Sequence, residues 1–271
     1  MPRTSQNGEA GDDRVLAIVI AVRILERLAF GEKYSRVTEL ARDIGTSKNR
    51  IHRHLKTLMD LGYVAQETET QRYMVGVRLV QIGNAVASKY DFLSISRPVM
   101  QRLRDVLGYS VVLSKVEDGQ LFAIEQVQGR GDVTFGITVG SPLQLHNSAQ
   151  GKIVLAFGAP QLLEATLAGP LPPRTASTIT DPGVLRAEVA LARRRGWAIA
   201  PNQIMTGINA VAAPIFGRGG QLFGTLATIV SIDDLPGEPD ERHLRLIKDA
   251  AAEISAALAP MPVHLVEAAP T

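Results

Sequence analysis

Two short helix-period segments, three residues apart, constrain this chain more than anything else in it. In the stretch 37–44 (VTELARDI), Val37, Leu40, Ala41 and Ile44 fall on one face. In 48–60, Ile51, Leu55, Leu58 and Met59 do the same, and Gly62 follows as a stop signal. Between them stand Gly45, Thr46 and Ser47, a turn that ends on an N-cap residue. This is the pattern of a helix-turn-helix, in which one helix braces and the second enters a DNA major groove. The outward positions of the second segment are Ser47, Lys48, Asn49, Arg50, His52, Arg53 and Lys56. Arginine can read guanine bidentately and asparagine can read adenine, while lysine and serine hold phosphates. Seven basic residues against three acids between 33 and 60 add a local positive patch, although the net charge of the chain is only +2. A helical hairpin with a solvated charged face would share these features, so the flanking sequence has to decide.

The flanks favour the DNA-binding arrangement. Tyr63–Gln66 and Arg72–Val75 are strand-like and joined by the polar stretch 67–71, which gives a two-stranded wing whose Arg72 can follow the phosphate backbone. Upstream, residues 1–12 form a polar tail and 14–30 a helix ending at Gly31. Its core, VLAIVIAV at 15–22, has no A-x-A site behind it and is too short to span a bilayer, which needs roughly 20 apolar residues. It is more apolar than a surface helix needs, and the surplus face is expected to make a subunit contact. Residues 77–107 are helical, with a break expected near Asp91–Pro98 because Pro98 disfavours a helical Arg97.

From Ser110 onward the period changes. Strands are expected at 111–116, 121–127, 134–139, 197–200, 207–216 and 221–229, and helices at 148–157, 160–168, 181–195 and 238–259. That order makes an α+β domain in which helices cover a sheet. The division is therefore a tail (1–12), a winged helix-turn-helix domain (13–76), linker helices (77–107), an α+β domain (108–260) and a second tail (261–271).

Several chemistries are excluded or left unsupported. With no cysteine, thiolate metal sites, disulfides and a cysteine nucleophile are impossible, and a reducing cytoplasm suits the chain. The stretch NSAQGK at 147–152 only faintly resembles a phosphate loop, which needs Gly in place of His146 and Ser or Thr in place of Ile153. His146 and Ser148 lack the G-x-S-x-G elbow of a nucleophile, and the other histidines have no metal-ligand spacing. No catalytic residue, metal or cofactor is expected. What 147–152 does offer is a capped helix start, whose free N–H groups and positive dipole end suit an anion.

Residues 23–90 resemble the winged-helix domain of the IclR family of bacterial regulators through RILERLA, VTELARDIGTSKNRIHRHLKTLMDLGYV and RYMVGVRLVQIG. The likeness continues in order through GSPLQLHNSAQGKIVLA (140–156), GWAIA (196–200) and GINAVAAPIFGRGGQLFGTLA (207–227). This resemblance implies a GAF-like effector domain, an interdomain helix, and homodimers that pair into dimers of dimers on a double-stranded DNA operator. It also implies that the backbone amides of Ala149 and Gln150 hold an effector carboxylate. Family members that bind two- or three-carbon oxoacids carry an Asp, a Cys and two Ser where this chain has Ala200, Ala210, Ala227 and Ile229. Phe135, Leu143 and Ile208 match apolar wall positions. A small hydrated acid would lose its partners there, so a carboxylate with an apolar or aromatic body is the expected ligand. The alternative is a GAF-like ligand-binding or catalytic protein that reads no DNA sequence.

Overall fold

The computed structural model describes residues 16–87, 91–117, 119–130 and 136–259. The chain forms two compact units that part between Ala87 and Ser88.

The first unit contains α1 (Leu16–Phe30), α2 (Val37–Ile44), α3 (Lys48–Asp60), β1 (Val64–Gln66), β2 (Tyr73–Val75) and α4 (Val77–Ala87). Its core is one cluster in which Ile24, Leu40, Ile51 and Leu55 are wholly buried. Each such side chain contributes roughly 1.5–3 kcal/mol by leaving water. The ends of α3 are fixed locally. Ser47 Oγ accepts from Arg50 N at 3.3 Å, an N-cap. At the other end Tyr63 N donates to Leu58 O at 2.8 Å and Gly62 N to Met59 O at 2.9 Å. This pair of bonds is a Schellman motif, and it needs Gly62 at φ +78°. The wing forms as expected, with Val64 opposite Val75 and Gln66 opposite Tyr73, and Ser35 bridges to Tyr73 from the other side. Helix α1 buries Ile20, Ile24 and Leu28 but leaves Leu16, Ile18 and Val22 exposed at 56%, 62% and 44%.

The second unit contains α5 (Asp91–Leu107), β3 (Ser110–Glu117), β4 (Gln120–Val127), β5 (Pro142–Leu143), α6 (Ala149–Phe157), α7 (Pro160–Ala168), α8 (Pro182–Arg195), β6 (Ala198–Ile199), β7 (Ile208–Phe216), β8 (Leu222–Ser231) and α9 (Glu241–Leu258). The strands form one antiparallel sheet in the order β5-β4-β3-β8-β7-β6. Val111, Leu113, Val211, Ile215, Leu226 and Val230 share a core with Met100 and Leu103 of α5 and Ile247 and Ile254 of α9. On the other face Ala149, Ile153 and Ala156 of α6 pack with Ala212, Ala227 and the inner side of α8. His243 of α9 is buried with its Nε2 2.7 Å from Thr228 Oγ1, and burial holds its pKa below the usual imidazole value.

Two expectations need correction. Pro98 does not break the helix: it lies inside α5, and Arg97 is helical. Proline at an interior position forfeits one backbone bond at about 3 kcal/mol. Burial of Phe92, Val99, Met100 and Leu103 in the main core outweighs that loss. Helix α4 runs to Ala87 and α5 begins at Asp91; residues 88–90 lie outside the described residues. The strand expected at 134–139 is also absent where it can be seen. Residues 134 and 135 lie outside the described residues, and 136–139 are irregular. Gln126 Oε1 takes the N–H of Ile137 at 2.8 Å, so a side chain occupies the donor that a ladder would use. The chain rejoins β4 only where Gly140 N reaches Ala123 O, and the paired strand is β5.

Candidate functional site

Helix α3 separates its residues cleanly. Ile51, Leu55 and Leu58 are buried, while Ser47, Lys48, Asn49, Arg50, His52, Arg53 and Lys56 are exposed. Among the described residues, none of Lys48, Arg50, Arg53 and Lys56 is paired with a carboxylate. The nearby acid Asp43 is engaged elsewhere: the Arg27 guanidinium at 2.9 Å and that of Arg42 at 3.1 Å hold its pKa below the usual carboxylate range. The exposed cations of α3 thus keep their charge available to an anion. Arg50 and Arg53 also line a cleft of about 330 Å³ beside Leu16 and Ile20 of α1. Arg72 is half-buried at the foot of the wing, where its carbonyl accepts from Glu67 N at 2.9 Å.

The second set of expected residues gathers on the α6 face of the sheet. Register places Ala212 opposite Ala227, Ala210 opposite Ile229, and Val112 opposite Ala227, so these side chains share a face. Ala200 joins them through a bond from its N–H to Ala210 O at 3.2 Å. Ala149, Ala200, Ala210 and Ala227 belong to one apolar cluster, and Leu143, Ile208 and Ile229 to an adjoining one with Val112 and Ala123. Phe135 lies outside the described residues.

Helix α6 begins at this face. Ser148 Oγ accepts from Gly151 N at 2.9 Å, and its hydroxyl donates to Gln144 O at 2.7 Å. The N–H groups of Ala149 and Gln150 have no acceptor among the described residues, as the first turn of a helix requires. The helix sits so close to 144–145 that a Cβ on Gly151 would lie 2.4 Å from Leu145 O. His146 is buried against Pro172 O at 3.1 Å, a structural position.

Sequence reasoning missed the polar groups around this face. The Gln150 side chain is buried and its Nε2 donates to Ser114 Oγ at 2.7 Å. Thr225 stands opposite Ser114, wholly buried, and among the described residues neither its hydroxyl nor the buried Gln203 Oε1 has a partner. Lys152, 1% exposed, donates to Glu188 at 3.0 Å and to Ile199 O at 2.9 Å, and its burial lowers its pKa against the raising influence of Glu188. Among the described residues there is no group of acidic or histidine side chains able to hold a metal, and no helix long and apolar enough to cross a membrane.

A winged helix-turn-helix with unpaired cations on its second helix, followed by a sheet domain with a capped, unsatisfied helix start over an apolar face, defines a DNA-binding regulator with an effector domain. Family models match accordingly: the IclR helix-turn-helix domain over residues 17–68 and the bacterial transcriptional regulator IclR C-terminal domain over 84–256. The chain belongs to the IclR family of bacterial transcription regulators. It is 26% identical to the glycerol operon regulatory protein of Streptomyces griseus, over 87% of this chain and 93% of that one. An IclR regulator from Alicyclobacillus acidocaldarius superposes with a TM-score of 0.81 at 26% identity, covering 90% and 98% of the two chains. An IclR homolog from Microbacterium hydrocarbonoxydans, crystallised in complex with 4-hydroxybenzoate, superposes at 0.77 with 22% identity over 89% and 98%.

Proposed function

We propose that this regulator reads a double-stranded operator through Lys48, Asn49, Arg50 and Arg53, with phosphates held by Ser47, His52, Lys56 and Arg72, and controls a catabolic operon in response to a carboxylate with an apolar or aromatic body. It works by binding rather than catalysis, where the chromosome is, in the cytoplasm. The observation that carries the ligand reading is the contrast at α6: two N–H groups, of Ala149 and Gln150, without acceptors among the described residues, at the start of a helix that packs with Ala200, Ala210 and Ala227, with Ile229 in the adjoining cluster. The amides suit a carboxylate. These four positions supply no partner for a hydroxyl or a second oxygen, so the part of the ligand that lies against them is apolar. The solved relative shows only that this fold has been crystallised with an aromatic acid in one other protein.

Reading an operator with one short helix per chain calls for two-fold pairing, which doubles the sequence read. Leu16, Ile18 and Val22 on α1 form the apolar face that supports a homodimer, in line with pairing into a dimer of dimers. Ligand shifts DNA affinity through its differential affinity for two arrangements of the chain, with 77–107 as the connecting segment.

The test is a titration of the protein on an operator selected from a random duplex pool. A benzoate-type acid should change operator affinity at concentrations where glyoxylate does not, and Ala210→Trp, which fills the half-buried end of the face, should abolish the response while sparing DNA binding. Tighter binding of glyoxylate would refute the ligand assignment. Failure to select any sequence, with binding that depends on salt alone, would refute the operator assignment.

A further inference from the structure

A second concave surface lies in the effector domain, between the C-terminal end of α8, the last residues of β7, and α9. Its volume is about 440 Å³, within the range of small-molecule sites. Of the twelve residues lining it, four are cationic (Arg193, Arg194, Arg195 and Lys248) and none is acidic. The walls are aromatic: the rings of Phe157 and Phe216 meet edge to face at 5.6 Å. Ala213, Pro214, Ala251 and Ala252 make the remainder small and apolar.

The end of a helix attracts basic residues, because they complement its dipole. That accounts for Arg193–Arg195 in the last turn of α8. It does not account for Lys248, which comes from α9 and whose ammonium reaches the carbonyl of Arg195 at 3.2 Å. Nor does it account for aromatic walls beneath the charges. Three of the cations are partly used, since Arg195 pairs with Glu238 at 2.6 Å, Arg193 donates to Ala156 O at 2.9 Å and Lys248 donates to Arg195 O, a bond that leaves its charge uncompensated. Arg194 is exposed and has no ion-pair partner among the described residues. The surface therefore carries uncompensated positive charge over an apolar floor.

The neighbouring sheet edge narrows the choice of occupant. Strand β6 pairs with Val211 and Ala212, so beyond Ala212 β7 runs on beside the groove with no strand next to that edge among the described residues. An extended peptide could add there only if the edge offered donors. Ala210 O accepts from Ala200 N, so Ala212, Pro214 and Phe216 turn their backbone groups to the same edge. Pro214 has no N–H, and the Phe216 N–H is taken by Ser255 Oγ at 2.9 Å. The edge is closed to strand addition, whereas the groove is open to a small molecule.

We propose that this groove is a second ligand site, distinct from the α6 face, for an amphipathic organic anion: a carboxylate, sulfonate or phosphate head held by Arg194 and Lys248, with an aromatic or aliphatic body against Phe157 and Phe216. The experiment uses the full chain and two dyes of nearly the same shape, anionic 8-anilinonaphthalene-1-sulfonate and neutral N-phenyl-1-naphthylamine, read by fluorescence. The anionic dye should bind more tightly than the neutral one, with an affinity that falls as salt rises. Removing both charges with Arg194→Gln and Lys248→Gln should weaken it about tenfold and leave the neutral dye within about twofold. Ala252→Trp fills the groove from an exposed position and should displace the dye, whereas Ala210→Trp on the α6 face should not. Sodium decanoate and decyl phosphate as competitors distinguish a carboxylate from a phosphate head. Equal binding of the two dyes, indifference to Ala252→Trp, or loss on Ala210→Trp instead would each overturn the proposal, and none of these outcomes touches the operator or α6 assignments.

Discussion

Helices α3 and α6 begin alike and end in opposite situations. Each is capped by a serine in extended backbone, Ser47 at φ −73° and Ser148 at φ −109°, whose Oγ accepts from the third N–H of the helix. On α3 the first turn is Lys48, Asn49 and Arg50, all exposed. On α6 every residue from Ala149 to Ala156 is buried. The first helix can recognise through side chains, which change without disturbing the fold. The second is enclosed along its length, and Gly151 stands there because the backbone of residues 144–145 leaves no room for a Cβ. The cap itself differs in the same sense. Ser148 also donates to Gln144 O, so its hydroxyl is used twice, whereas the Ser47 hydroxyl proton has no acceptor among the described residues.

The largest expected effect separates the lysines of the two helices. Lys152 on α6 is buried, and its pair with Glu188 is half open because that carboxylate is 37% exposed. Lys152→Ala leaves a cavity and should lower stability by about 2–4 kcal/mol. Lys152→Met keeps the volume and removes a charge whose burial is unfavourable, so its stability should stay within about 1 kcal/mol of the parent. The sign of the pH dependence follows. With the folded pKa held below 10.5, the folded protein binds fewer protons than the unfolded chain in the window just under that value, so stability falls as pH is lowered through it. Denaturant melts of the methionine variant should lose that slope. Alanine in place of the exposed Lys48 should shift the melt hardly at all. A comparable shift in both would erase the distinction between the helices.

Next in size is the reading of DNA. Arg50→Ala and Arg53→Ala should each cost about 1–3 kcal/mol of operator affinity if the guanidinium reads a base, with relaxed preference at one position. If one of them touches only phosphate, all sequences should weaken alike and the salt slope should fall by about one. Fluorescence anisotropy over a series of salt concentrations decides between these, and unchanged binding in both variants would remove α3 from the interface.

Much of α3 was legible because local signals agreed: a cap at Ser47, Gly62 where a positive φ is needed, and buried positions at helical spacing. The wing was legible for the same reason. Pro98 was misread because local preference says nothing of the core that α5 joins through Met100 and Leu103. The strand placed at 134–139 failed because a side chain, Gln126, takes the donor that alternation alone assigns to a neighbour. On the α6 face the alanines were legible as losses of polarity. The polar remainder was not, because Ser114 meets Gln150 from 36 residues away and meets Thr225 only through strand register. No local pattern reports a pairing of that kind.

The smallest effect tests the comparison most directly. Replacing an N-cap serine by alanine costs about 1 kcal/mol of stability wherever the helix is needed. Ser47→Ala and Ser148→Ala should therefore have similar melts, with the second somewhat lower because it also strands the Gln144 carbonyl beneath a buried helix. Their functional readouts should be opposite. In Ser47→Ala the first turn of α3 frays where Lys48, Asn49 and Arg50 must be held, so operator affinity drops while ligand affinity stays. In Ser148→Ala the N–H groups of Ala149 and Gln150 lose their fixed direction, and Gly151 N competes for the same anion. Ligand affinity then drops while the ligand-free protein binds DNA as before. Measuring both affinities in both variants gives four numbers, and a division of work between the two helix starts requires losses on one diagonal only. A loss of ligand affinity in Ser47→Ala, or of ligand-free DNA affinity in Ser148→Ala, would mean that the two helix starts do not divide the work as their burial implies.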